Sequence, residues 1–169
     1  VKITASDGAA NDLFGYSVAM SDTKVVVSHS QNKPIGVVYV YNTDGTGEIK
    51  ITASDAADND QFGLSVAVSD TKVIVGAPYD DDPTNAGSVY VYNLDGTGEV
   101  KITASDGAEN DQFSNSVAIS DTKVAVGATG NDNNKGAAYI YNTDGTGEVK
   151  ITASDAAANN YFGSAIAVS

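Results

Sequence analysis

Apolar residues along this chain fall in short runs with a period of two. In residues 62–68, Leu64, Val66 and Val68 alternate with the small Ser65 and Ala67, the pattern of a strand with one buried face. Residues 72–77 (Lys-Val-Ile-Val-Gly-Ala) are apolar on both faces, which predicts a central strand. Residues 88–92 put Tyr90 and Tyr92 on one face and Val89 and Val91 on the other. Residues 99–104 carry Glu, Lys and Thr in alternation, as an outer, half-solvated edge would. Ser69 to Lys72 reads as a tight turn, and Asp95 to Gly98 as a hairpin with glycine where positive φ is needed. These are four antiparallel strands, A to D.

The same pattern recurs. Lys-Ile-Thr-Ala-Ser-Asp begins at Lys2, Lys50, Lys101 and Lys150, and the four phenylalanines of the chain follow it at Phe14, Phe62, Phe113 and Phe162. Their spacings of 48, 51 and 49 divide 169 residues into about three and a half units. Length varies in one place only. Phe to Lys is 10 in every unit and Tyr to the next Phe is 23, whereas Lys to Tyr is 15, 18 and 16. The variable segment is the loop between strands B and C. Units run roughly over 7–54, 55–105 and 106–154, with partial units at 1–6 and 155–169. The strand string is then D, three times ABCD, and A, which predicts an array that does not close on itself.

Four-stranded antiparallel units of this length, with small side chains on the innermost strand, describe blades of an all-β propeller. Phe62-Gly63, followed by Gly76-Ala77-Pro78 and then by Gly87-Ser-Val-Tyr-Val-Tyr92, resembles the FG-GAP repeat of integrin-alpha-like β-propellers, in its bacterial or viral type. The resemblance covers the whole chain and implies the fold. It departs at Ser28-His29-Ser30, which replace Gly-Ala-Pro in the first unit, and at Ser114, which replaces the glycine after Phe113. Integrin-like members hold calcium in an Asp-rich loop between strands A and B. Here that connector is Ser-Asp-Thr-Lys in all three units, too short for such a loop, so the resemblance brings no calcium site with it.

Composition narrows the function. There are 22 acidic residues against 9 lysines, no arginine and no cysteine, for a formal charge of −13. Such a charge repels phosphate backbones and argues against nucleic-acid binding. No apolar run is long enough for membrane insertion. Without cysteine there is neither a thiol nucleophile nor a disulfide framework, and one histidine, His29, cannot build a multi-histidine metal site. The first residue is Val, with no initiator methionine or signal peptide, so the chain reads as a processed product or an excerpt.

Strand parity places the B–C and D–A loops on one rim. Thirteen acids fall there (Asp7, Asp12, Asp55, Asp58, Asp60, Asp80, Asp81, Asp82, Asp106, Glu109, Asp111, Asp132, Asp155) against Lys33 and Lys135, so 13 − 2 gives −11. A field of one sign favours cationic partners. Within this rim the candidate binding residues are Tyr79, Asp80, Asp81, Asp82, Asn85, Asp132, Asn133, Asn134, Lys135, Asp58 and Asp60. Asp80 to Asp82, with Asn85, offer hard oxygen ligands of the kind calcium takes. A solvated turn accounts for them as well, so no metal is assigned and no cofactor is expected beyond a weak calcium candidate. Asn42 to Glu48 reads as a hairpin turn rather than a calcium loop. The tyrosine pairs (Tyr39/Tyr41, Tyr90/Tyr92, Tyr139/Tyr141) read as core between blades. His29 reads as a packed or rim histidine rather than a base.

The expected function is a non-catalytic binding or adhesion module, extracellular, on a cell surface or on a virion, that meets a protein or glycan partner at the acidic rim. The alternative is a structural building block of a virion appendage or extracellular filament. Either way, self-association or a longer parent chain is needed to complete the propeller. An enzyme using rim carboxylates is the least supported reading, because no carboxylate pair has a distinctive setting.

Overall fold

A computed structural model describes residues 1–29, 35–80 and 85–168. They form three four-stranded antiparallel sheets, each consecutive in sequence. The first holds β1 (Val18–Met20), β2 (Lys24–His29), β3 (Val37–Asn42) and β4 (Ile49–Ile51). The second holds β5 (Ser65–Val68), β6 (Lys72–Ala77), β7 (Ser88–Asn93) and β8 (Val100–Ile102). The third holds β9 (Phe113–Ile119), β10 (Lys123–Ala128), β11 (Ala137–Asn142) and β12 (Val149–Ile151). Order within each sheet is A-B-C-D, and corresponding residues pair in the same register: Val27 with Tyr39, Val75 with Tyr90, Val126 with Tyr139.

The A strands lie innermost. β5 contacts both β1 and β9. The A–B turns converge on one hollow lined by Ser21, Asp22, Ser69, Asp70, Ser120 and Asp121. The small residues expected of the inner strand are there because three sheets crowd together at that point. The result is an open, incomplete propeller of three blades.

Strands B and C form where the apolar pattern put them. Strand A of the second sheet starts at Ser65, later than the pattern implies. In the third sheet it starts at Phe113, which pairs with Ala128 across a register shift, although Gln112 and Ser114 take the same positive φ as Gln61 and Gly63. Residues 2–5 are not a strand, having no C strand beside them. Residues 162–168 have no B strand beside them, and Phe162 makes only an isolated parallel bridge to Gly136.

Between sheets the core repeats. Val38, Val40 and Ile51 of the first sheet meet Phe62, Val75, Tyr90 and Tyr92 of the second. Val89, Val91 and Ile102 of the second meet Phe113, Val126, Tyr139 and Tyr141 of the third. Phe62 sits edge-on to Tyr90, with centroids 5.4 Å apart, and Phe113 sits likewise to Tyr139 at 5.3 Å. Such ring pairs add about 0.5–1.5 kcal/mol to the burial itself. The tyrosines are therefore core, as their alternation implies.

The two glycines of the family motif face each other across these interfaces. A side chain at Gly127 of the third sheet would strike the carbonyl oxygen of Gly163, and one at Gly76 would lie 2.5 Å from the carbonyl oxygen of Ser114. The first interface has Ser28 opposite Gly63, the second Gly76 opposite Ser114. Each carries one serine, so the two departures from the motif never coincide. Ser114 holds the positive φ (78°) of the glycine it replaces, and its hydroxyl donates to the Ser88 carbonyl at 2.6 Å.

Candidate functional site

In the second and third sheets the B–C loop packs on the D–A loop that precedes strand A. The Tyr79 N–H donates to the Asp60 carbonyl, and the Gly130 N–H to that of Asp111. Asp60 accepts the Ala57 N–H at 2.7 Å, and Asp12 and Asp111 accept those of Ala9 and Ala108. All three carboxylates are buried within their own loops. Asn131 adds a second donor to Asp111 at 2.8 Å. These acids hold the loops in shape. Asp60 is thus a structural residue and does not present its carboxylate to solvent.

Asp80 is inside as well, 4% exposed. Its carboxylate accepts the Tyr90 hydroxyl at 2.5 Å and lies 2.9 Å from Lys101 Nζ. Asp80, a candidate hard oxygen ligand and binding residue in the sequence, thus sits beneath the loop with its carboxylate against a lysine. Asp81 and Asp82 lie outside the described residues. Among the described residues no cluster of three or more His, Cys, Asp or Glu is placed to hold a metal ion.

The Ser-Asp that ends each of the first three repeated phrases reaches the sheet that follows it. Asp55 accepts Lys101 (2.7 Å) and shares the one Tyr90 hydroxyl proton (2.8 Å) with Asp80. Ser54 donates to Glu99 through both its N–H (3.0 Å) and its hydroxyl (2.5 Å). Ser6 and Asp7 hold Glu48, Tyr39 and Lys50 in the same way, and Ser105 and Asp106 hold Glu148, Tyr139 and Lys150. Burial pushes the Asp55 and Asp106 carboxyls up, but the lysine and tyrosine donors outweigh it and hold both below the usual range. Burial first, and the neighbouring carboxylates second, push the six tyrosine hydroxyls well above their usual value.

These contacts change the charge of the rim. Lys50, Lys101 and Lys150 reach Asp7, Asp55 and Asp106, so their charges belong there: among the described residues 11 acids stand against these three and Lys135, and 11 − 4 gives −7. The acids that remain outward among the described residues include Asp58, Glu109, Asp132 and Asp155.

The remaining candidates divide by loop. Tyr79 is 37% exposed and its hydroxyl accepts from Gln112 at 3.2 Å; the Asn85 carbonyl accepts the Asn110 N–H at 3.0 Å. In the third sheet Asp132, Asn133 and Asn134 all take positive φ (49°, 57° and 63°) in a tight turn. Asp132 pairs with Lys135 at 2.8 Å, and Asn134 donates to Asn159 at 3.3 Å. No hydrogen bond links these residues to Tyr79, Asp80 or Asn85. Two other features follow the sequence reading. The Asp44 carboxylate accepts the N–H and hydroxyl of Thr46, a turn closing on itself. His29 is fully buried, 3.8 Å from Asp12 and tilted against Tyr39.

Sequence reasoning missed that the Ser-Asp pairs and Glu48, Glu99 and Glu148 act between sheets. The signal was present in the strict recurrence of Ser-Asp after a strand and of Glu before the next. No curated protein matches the chain. The family model described as FG-GAP repeat matches residues 1–41, 46–92, 97–141 and 146–169, nearly the whole length and in register with the strands above. The chain belongs to the FG-GAP repeat family.

Proposed function

We propose that this chain is a non-catalytic binding module, extracellular or on a cell surface, that displays loops of unequal length on a rigid propeller scaffold. One observation carries the reading. The three sheets keep the same strand register, while the connections between B and C hold 7, 10 and 8 residues (30–36, 78–87 and 129–136). Repeat scaffolds with fixed blades and variable loops place recognition on the loops. Tyr79, Asp58, Asp132, Asn133 and Lys135 are the groups available for contact. The net negative rim favours a cationic protein segment over an anionic one.

The test exchanges loops. Residues 78–87 are replaced by the sequence of 129–136, and binding to polylysine and to an array of neutral glycans is compared with the parent across a salt series. Loss of a parent interaction, with melting unchanged, supports the reading. Binding that survives the exchange with the same salt slope contradicts it.

A further inference from the structure

Five Asp-Gly pairs lie in this chain, beginning at Asp7, Asp44, Asp95, Asp106 and Asp144. Such a pair carries a chemical hazard. The glycine amide nitrogen, unshielded by a side chain, attacks Cγ of the aspartate. The N–H proton and the carboxyl hydroxyl leave as water, and a succinimide ring closes. Water then opens the ring at either carbonyl and returns aspartate or isoaspartate. Isoaspartate carries the main chain through the side-chain carbon, so a hairpin that forms it gains a backbone atom and loses its register. The fold makes three of these pairs unavoidable. In the C–D hairpins the Gly45, Gly96 and Gly145 N–H groups donate to the Asn42, Asn93 and Asn142 carbonyls at 2.9–3.0 Å, and each glycine takes a φ of 80–84°. Few side chains accept that conformation, so glycine must follow the aspartate.

In all three hairpins a relay of side chains ends on that aspartate. Lys24, Lys72 and Lys123 donate from Nζ to Oδ1 of Asn42, Asn93 and Asn142 at 2.6–2.8 Å. The same asparagines donate from Nδ2 to the hydroxyls of Thr46, Thr97 and Thr146 at 2.9–3.1 Å. Each hydroxyl, its oxygen taken as an acceptor, donates to Oδ1 of Asp44, Asp95 or Asp144 at 2.6 Å. The threonine N–H donates to the same oxygen at 3.0 Å. Both requirements of ring closure are opposed here. The glycine N–H is engaged on the asparagine carbonyl. The carboxyl is held ionised, below its usual range, chiefly by the threonine hydroxyl, and an ionised carboxylate has no hydroxyl to lose.

We propose that Asp44, Asp95 and Asp144 are latent isomerisation sites, and that Thr46, Thr97 and Thr146 are the locks that keep them closed. Each threonine spends its hydroxyl and its N–H on one carboxylate oxygen, and the lysine and asparagine behind it fix the direction of the hydroxyl proton. The remaining two pairs are held by other means: the Asp7 carboxylate accepts from Tyr39 and Lys50, and that of Asp106 from Tyr139 and Lys150. The locks protect the covalent chain at the rim opposite the variable loops. They do not rest on what those loops bind: loop binding can fail while the locks stand, and the reverse.

Ageing in heavy-oxygen water reads each site, because every ring opening leaves one solvent oxygen in the peptide. Folded parent and Thr97→Ala are held at neutral pH and body temperature, then digested in ordinary water and mapped, with parent in urea as the unlocked reference. Folded parent should take up label at Asp44, Asp95 and Asp144 at least about ten-fold more slowly than parent in urea. Thr97→Ala should quicken uptake at Asp95 about ten-fold and leave Asp44 and Asp144 slow in the same molecules, which separates a lost lock from unfolding. Thr97→Ser, which restores the hydroxyl, should return Asp95 to the parent rate. Thr46→Ala and Thr146→Ala repeat the test in the other sheets, each quickening its own hairpin alone. Folded parent that labels as fast as parent in urea overturns the proposal. So does an unchanged rate at Asp95 in Thr97→Ala, or an equal rise at all three hairpins in every variant.

Discussion

The hydroxyl of Tyr139 donates at 2.8 Å to the carboxylate of Asp106, which lies 33 residues earlier on the connector leaving the preceding sheet. Asp7 stands in the same relation to Tyr39 at 2.6 Å, and Asp55 to Tyr90 at 2.8 Å, where Asp80 shares the one hydroxyl proton. An acid that looks like solvent-facing charge in the sequence is therefore a fastener between blades. The lysine beside it (Lys50, Lys101 or Lys150) offsets the charge and lies over the ring of the same tyrosine, 5.4–5.9 Å from its centre.

The phenylalanines should differ in worth although the sequence makes them equivalent. Phe62 and Phe113 are 1% and 0% exposed between two sheets. Their replacement by alanine should cost about 3–5 kcal/mol in urea unfolding. Phe162→Ala should cost under about 1.5 kcal/mol, since that ring is half-buried and has no tyrosine pair to pack on. Equal losses at Phe62 and Phe162 would show that the interface is not what holds these rings.

Gly76→Ala should separate the second and third sheets. The added methyl would meet the Ser65 hydroxyl and lie 2.5 Å from the Ser114 carbonyl, with backbone on one side that cannot yield cheaply. A loss of about 2 kcal/mol or more is expected in the same assay. Gly15→Ala, which meets nothing within 4 Å, should cost only the strain of its positive φ of 94°. Similar losses at both would mean that backbone conformation, not the close approach, decides the effect.

Stability should fall at both ends of the pH range. Asp55, Asp106, Glu48 and Glu148 have carboxyls held below their usual values, Glu48 chiefly by the Ser6 hydroxyl and the others against the opposing push of burial. A group lowered on folding stabilises the fold above its unfolded pKa, about 4, and loses that contribution as pH falls through its folded value. The six tyrosines are raised, chiefly by burial. Their contribution is complete below about pH 10 and is lost above it, where the unfolded chain ionises first. Melting temperature against pH should show a plateau with an acid limb below about 4 and an alkaline limb above about 10. A flat alkaline side would contradict the burial of the hydroxyls.

Much of this was legible because the chain says the same thing three times. Strand B was read as residues 72–77 and is Lys72–Ala77, since an apolar run bounded by a tight turn has little freedom. Strand A was read as residues 62–68 and is Ser65–Val68 in the second sheet, while its equivalent in the third spans the full Phe113–Ile119, so the repeat fixes the element but not where its ladder starts. The rim was harder. Counting formal charge treats each Asp as solvated and each Lys as lying where its Cα lies. Asp60 and Asp80 are buried, and Lys101 spans from its strand to two carboxylates on that rim. One signal for Asp12, Asp60 and Asp111 was available: each stands two residues before a phenylalanine in every complete unit, a regularity that loop acids serving only solubility have no reason to keep.

A double-mutant cycle on Asp106 and Tyr139 tests most directly whether the repeated phrase fastens one blade to the next. Asp106→Ala, Tyr139→Phe and the double variant are unfolded in urea alongside the parent, with Glu109→Ala as an exposed control. The fastener predicts a coupling of about 1–2 kcal/mol between Asp106 and Tyr139 and none between Glu109 and Tyr139. Additive losses at Asp106 and Tyr139 would contradict it.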